Sequence, residues 1–264
     1  MHRPEQEKYS QSINFYLLDN ARAARKHEHV DTLFEHTMSS LQFVINNDLP
    51  VHFDPARLVI AGWAGRNVEE VERHIAELAA IGVKRPSTVP CFYELSPALL
   101  TSRETIDVVG DHSSGEVEAV LLLHPEHGML VGIGSDHTDR KAEGYDVAIS
   151  KQVCAKPMGP RLWRYDDVVP HWDQLVARSW LIDDQARRTL YQEGPLSRLL
   201  HAEQLLDDVS AASAIAPYTV IFCGTQALLG PLEPAHLFEI ELHDPVLDRT
   251  LAHRYRVNAL LHVE

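Results

Sequence analysis

The stretch Glu116-Val117-Glu118-Ala119-Val120-Leu121-Leu122-Leu123 places two carboxylates at alternate positions directly ahead of an unbroken apolar run. Bounded by GDHSSG before and HPEHG after, such a run reads as a buried β-strand between turns. Alternate side chains of a strand share a face, so Glu116 and Glu118 stand together, about 7 Å apart, on the face that continues through Val120 and Leu122. Two carboxylates at the mouth of a buried face repel, and leaving them uncompensated costs on the order of several kcal/mol. A chain with this stretch either leaves that strand end in water or brings a cation or basic side chains to it.

A second apolar run, Met129 to Ile133, leads without a break into GSDHTDR, residues 134–140. A hairpin closed at HPEHG returns Asp136 to the side of Glu118. Three converging carboxylates suit a hard divalent ion, Mg²⁺ or Mn²⁺. His137 would suit zinc better, but no second histidine stands at ligand spacing near it. The alternative is a solvated strand end at Glu116 and Glu118 and a polar loop with an Asx-turn at Asp136 and Asp139.

Elsewhere the order of patterns is strand and helix, a β-rich block, a helical zone, then β again, which predicts a mixed α+β fold with a substantial β core. LVIAG, from Leu58, reads as a buried strand ending in a glycine turn. Asn67 then caps a helix whose stripe is Val68, Val71, Ile75, Leu78 and Ala79, ending at Gly82. The runs from Thr105 to Val131 are strands, with GDHSSGE and HPEHG as hairpin turns. Trp172 to Leu206, with charges between its leucines, reads as helical. YTVIFCGT, HLFEIELHD and TLAHRYRVNAL return to strands. Residues before about 12 are expected to fray.

With 38 acidic against 24 basic residues the formal charge of the 264-residue chain is -14, which disfavours nucleic acid and anionic membranes and leaves a small anion to be drawn in by a local basic set. Cys91, Cys154 and Cys223 are odd in number and form no C-x-x-C pair, as expected of a reducing, cytoplasmic compartment. The polar start MHRPEQEKYSQ lacks the apolar stretch of a signal peptide, and no run approaches the roughly 18 apolar residues of a membrane span.

Further candidates are weaker singly. Lys151 follows the short run Val147 to Ile149 and precedes Pro157-Met158-Gly159-Pro160; near a metal it would steady an oxyanion or carboxylate. His74 and Glu77 stand at i, i+3, where a carboxylate orients an imidazole or the pair is an exposed ion pair. No G-x-S-x-G, P-loop or G-x-G-x-x-G is present.

In order and rough spacing, from about residue 58 to 264, these pieces resemble the fumarylacetoacetate hydrolase superfamily, in a divergent bacterial branch. The family pattern is E-x-E, then N-D-x-[ST]-x-R, then G-K ahead of P-x-G-P, then G-T before a final β segment. Here stand Glu116 and Glu118, Ser135 to Arg140, Ser150-Lys151 ahead of Pro157 to Pro160, and Gly224-Thr225. The N-terminal signature G-x-N-Y-x-x-H-x-x-E is similar to Gly65-Arg66-Asn67 followed by His74 and Glu77, with three extra residues and Val68 for the tyrosine.

The resemblance implies a mixed β-sheet roll with flanking helices, as an N-terminal portion (1–98) and a catalytic core (99–264) or one continuous domain, in a homodimer. It implies Mg²⁺ or Mn²⁺ on Glu116, Glu118 and Asp136, with His74, Glu77 and Lys151 catalytic, and Arg66, Arg140, His137 and Thr225 facing the substrate. The activity implied is hydrolysis of a carbon–carbon bond in a small anionic oxo-carboxylate, of acylpyruvate or 1,3-dicarbonyl type, through a metal-stabilised enolate. A lyase on the same scaffold, a decarboxylase, hydratase or dehydratase, needs the metal but not the dyad.

Overall fold

A computed structural model of the chain describes residues 40–80 and 84–260. Strands β1 (Leu41–Ile45), β2 (Leu49–Phe53) and β3 (Arg57–Gly62) lead into helix α1 (Val68–Ala80) and strand β4 (Cys91–Leu95). Next come β5 (Thr105–Val109), β6 (Val117–His124), β7 (Gly128–Ser135), the short helices α2 (Arg140–Glu143) and α3 (Val147–Gln152), β8 (Arg161–Arg164) and α4 (Tyr165–Val168). The chain continues through β9 (Val176–Ile182), β10 (Arg188–Pro195), α5 (Ala202–Ala212), β11 (Thr219–Thr225), β12 (Leu237–Asp244) and β13 (Arg249–Leu260).

Among the described residues these strands form an eight-stranded sheet, ordered β2-β1-β8-β7-β6-β11-β3-β4, and a five-stranded sheet, ordered β10-β9-β12-β13-β5. Both are mixed: β1 runs parallel to β8, β11 to β3 and β13 to β5, and the other neighbours are antiparallel. Residues 41–95 supply four strands of the larger sheet and residues 117–225 the other four. This is the mixed-sheet α+β architecture expected.

Strand β6 is buried at every position because each face belongs to an apolar core. Ala119, Leu121 and Leu123 pack with Ile240, Leu242 and Leu251 of the smaller sheet. On the opposite face Val120 and Leu122 join Phe43, Phe53, Ile60 and Phe222, from strands toward both ends of the larger sheet. Glu118 opens that second face.

Several expectations need correction. The zone from Trp172 to Leu206 is mostly the antiparallel pair β9 and β10, with α-helix beginning only at Ala202. Its charges form cross-strand pairs rather than helical ones: Arg178 reaches Glu193 at 2.5 Å and Glu241 on β12 at 2.9 Å. GDHSSGE closes no hairpin; it carries the chain from the smaller sheet to the larger, and its Ser113–Ser114 pairs with Thr138–Asp139. The run Val147 to Ile149 is helical because the Asp146 side chain accepts from the Ile149 N–H and caps it. In α1 Asn67 caps as expected, accepting from Glu69 and Glu70, but Val68 is exposed and Ala79 too, leaving Val71 and Ile75 as buried anchors. The side chain of Leu78, Gly82 and the start before residue 12 lie outside the described residues. All three cysteines are buried free thiols. No described helix is long and apolar enough to cross a membrane.

Candidate metal centre

The hairpin of β6 and β7 sets the site. Its register pairs Val117 with Ser135 and Glu118 with Gly134, and the Asp136 N–H extends the ladder to the Glu116 carbonyl at 2.9 Å. Three carboxylates therefore converge at the open end of the hairpin, each with a ligand oxygen within 4.8 Å of the others. Gly134 permits close stacking beneath them: a Cβ there would stand 2.7 Å from the Phe222 ring.

On the far side of Glu118, β11 breaks its register after Phe222 and resumes at Thr225, opposite Glu118. Gly224 adopts φ +95 in that break, and its N–H donates to Glu118 Oε2 at 2.7 Å. A side chain at 224 would require this left-handed backbone and set its Cβ 2.9 Å from Ala64. Thr225 donates its hydroxyl to the Val117 carbonyl at 3.0 Å and accepts from Gln192 at 2.8 Å, so it fixes the strand mouth.

Basic side chains meet the carboxylates from the other side. Arg140 donates to Glu116 Oε1 at 2.9 Å, to Ser114 at 2.6 Å and to Glu143 at 3.0 Å. Lys151, at the end of α3, binds Asp136 Oδ2 and lies 3.4 Å from Glu116 Oε2. Lys156 lies 3.0 Å from Asp136 Oδ1. Burial, with the charges of Asp136 and Glu116, pushes Glu118 well above the usual carboxylate range. Burial acts the same way on Asp136, yet the two lysines outweigh it and hold that carboxyl below the usual range. Lys151 is likewise held above the ordinary amine range, because Asp136 and Glu116 outweigh its burial.

The donor set suits a hard divalent ion. It is all oxygen and it converges, with Asp136 Oδ1 fully buried and met by Lys156 at 3.0 Å. Glu116, Glu118 and Asp136 are the residues that would hold the ion.

Other candidates have partners of their own. His137 is completely buried, its Nδ1 3.1 Å from Tyr255 Oη and its Nε2 2.9 Å from Ser113 Oγ. Tyr255 is bonded onward to Ser135 at 2.9 Å. Both ring nitrogens are thus engaged, and the expected substrate contact is corrected to a supporting position under the metal loop. Arg66 forms a two-pronged pair with Asp173 at 2.8–2.9 Å and donates to the Leu199 carbonyl at 3.0 Å. His74 and Glu77 are 3.6 Å apart, with side chains 61 % and 63 % exposed. The His74 ring lies 5.6 Å from Trp63, and Lys151 lies 6.0 Å over the Tyr93 ring.

Sequence reasoning missed Lys156 and the buried network of Ser113, Ser135 and Tyr255. Serines and a tyrosine in β segments carry no pattern of their own, but a lysine inside the apolar CAKPMGP was a readable anomaly.

The model of the family described as "Protein of unknown function (DUF2848)" matches residues 61–255. No curated protein matches the sequence. Among solved structures, Cg1458 superposes with a TM-score of 0.57 at 15% identity, covering 80% of each chain. Cg1458 with inhibitor gives 0.58 at 16%, over 80% of this chain and 81% of that one. 2-keto-3-deoxy-D-arabinonate dehydratase complexed with magnesium and 2,5-dioxopentanoate gives 0.57 at 13%, over 80% and 78%. At these identities the likeness is one of fold, and it is the fumarylacetoacetate hydrolase fold that the motif order implied.

Proposed function

As the chain belongs to the DUF2848 family and shares its fold with a dehydratase captured with magnesium and an oxo acid, we propose that it is a divalent-metal-dependent hydrolase cleaving a carbon–carbon bond in a small oxo-carboxylate. The observation that carries this is the convergence of Glu116, Glu118 and Asp136 within 4.8 Å beside the Lys151 ammonium.

Mg²⁺ or Mn²⁺, when bound, supplies Lewis-acid polarisation of a carbonyl. The remaining work falls to side chains. Asp136 and Glu116 keep Lys151 protonated, so it presents a fixed positive charge to a substrate carboxylate or a developing oxyanion. Arg140 and the Gly224 N–H each hold one carboxylate oxygen, of Glu116 and Glu118, and so orient the other. These cations form a local basic set within an acidic molecule, which suits a small anion. His74 with Glu77 is the pair to activate water. Glu118→Ala should lose both metal binding and turnover with an unchanged far-UV spectrum; turnover at the wild-type level without bound metal would sink the assignment. A screen of oxo acids and acylpyruvates with and without Mg²⁺ or Mn²⁺ identifies the substrate class.

A second reading, a lyase acting as decarboxylase, hydratase or dehydratase, is favoured by the exposure of the His74 and Glu77 side chains to solvent. It needs the metal and Lys151 but no water-activating pair. Product analysis in ¹⁸O-water separates the two, because hydrolysis places label in a product carboxylate and decarboxylation or dehydration does not. His74→Ala reduces turnover strongly under the hydrolase reading and leaves it near normal under the lyase reading.

A further inference from the structure

Lys156 is wholly buried, immediately ahead of Pro157-Met158-Gly159-Pro160. Its Nζ donates to the His137 carbonyl at 2.6 Å and to the Lys151 carbonyl at 2.5 Å, and lies 3.0 Å from Asp136 Oδ1. One ammonium thus touches the loop carrying the third carboxylate and the end of the helix carrying Lys151. Its backbone is fixed as well: Lys156–Pro157 pairs with Leu100–Thr101, and the Gly159 N–H binds the Ile133 carbonyl at 2.8 Å. Three carboxylates, Glu116, Glu118 and Asp136, accordingly face three basic groups, Arg140, Lys151 and Lys156. Arg140 is shared with Glu143, and Lys151 borders the expected substrate position. Lys156 faces neither solvent nor substrate, and of the three carboxylates it contacts Asp136.

We propose that Lys156 is a built-in counter-cation of the metal centre: it holds Asp136 and the end of α3 in place without a divalent ion and weakens the affinity of the site for one. This rests on the reading of Glu116, Glu118 and Asp136 as metal ligands. The physical ground is that a fixed positive charge in contact with a ligand carboxylate opposes the entry of a second cation, and burial keeps water from screening it. Without the ammonium, Asp136 would lean on Lys151 alone, and the divalent ion would supply the missing charge.

The test is Mn²⁺ affinity, measured by calorimetry and by electron paramagnetic resonance, together with thermal melting of metal-free and Mn²⁺-loaded protein. The proteins are wild type, Glu118→Gln, Lys156→Gln and Lys156→Met; glutamine keeps a donor for the two carbonyls, and both Lys156 variants lack the charge. Lys156→Gln is expected to bind Mn²⁺ more tightly, on the order of tenfold. It should also melt lower than wild type when metal-free and recover part of that loss with Mn²⁺. Lys156→Met should shift affinity in the same direction. Affinity within twofold of wild type, weaker binding, an equal melting loss with and without Mn²⁺, or variants that fold in neither condition would each overturn the proposal. If instead wild type binds no Mn²⁺, or Glu118→Gln binds it as well as wild type does, the metal-ligand reading itself has failed.

Discussion

At the scale of single residues, Gly224 and His137 make opposite demands on the site. Gly224 needs the absence of a side chain: its φ of +95 directs an N–H at Glu118, and alanine would be strained there and press on Ala64. Gly224→Ala is expected to cost about 1–3 kcal/mol, seen as a lower urea midpoint. Mn²⁺ binding should weaken with it, because the carboxylate loses its orientation. His137 needs to stay neutral. Burial, helped by the charges of Lys156 and Arg140, lowers its pKa to about 3, while the unfolded chain takes up that proton near about 6.5. Below about pH 6.5 the unfolded state therefore binds more protons, and stability falls by on the order of 1.4 kcal/mol per pH unit down to about pH 3. Urea midpoints from pH 7 to 4.5 check this: His137→Gln, isosteric at one nitrogen, should flatten the slope relative to wild type, and an identical slope would show that other groups carry it. The alternation of Glu116 and Glu118 was legible in the sequence because a strand has one short period. The fate of His137 was not, since its partners Ser113 and Tyr255 lie 24 and 118 positions away.

At the scale of elements, helix α3 delivers Lys151 to the carboxylates although it spans only six residues, Val147–Gln152. So short a helix depends on its cap, the bond from Asp146 to the Ile149 N–H. Asp146→Ala should cost about 1 kcal/mol in thermal or urea unfolding. Turnover should drop further than that loss of stability explains, because the lysine is displaced from Asp136; an unchanged rate would show that Lys156 fixes the helix end unaided. The apolar Val147 to Ile149 mimics a strand because three residues cannot distinguish a period of 2 from one of 3.6. The same ambiguity, at greater length, hid β9 and β10. Arg178 and Glu193 are 15 residues apart and meet across strands, a pairing that spacing along the chain does not reveal. Where an element was long and capped, as in α1 with Asn67, the helix itself and its anchors Val71 and Ile75 were legible, although Val68 and Ala79 of the expected stripe are exposed.

At the scale of the whole molecule, the two sheets stand on cores that owe nothing to a metal ion, and the carboxylates are matched by basic side chains. Chelation by EDTA should therefore leave far-UV circular dichroism unchanged and lower the melting temperature only by the lost binding energy, about 2.7 kcal/mol at an ion concentration 100 times Kd. Unfolding on chelation, as in a zinc finger, would contradict this. The larger sheet draws strands from residue 41 to residue 225, and this long-range order was carried in the sequence by motif succession rather than by local propensity.

Strand β6, wedged between two apolar cores, behaves as a beam clamped along its length. The carboxylate at its end cannot be re-aimed without unpacking one side of the protein or the other, so variation among relatives of this chain has little room to act on the ion. It is left to what borders the site: the Tyr93 ring beside Lys151 and the segment after Thr225. Exchanging those segments between relatives should change which acid is taken while the metal preference stays put.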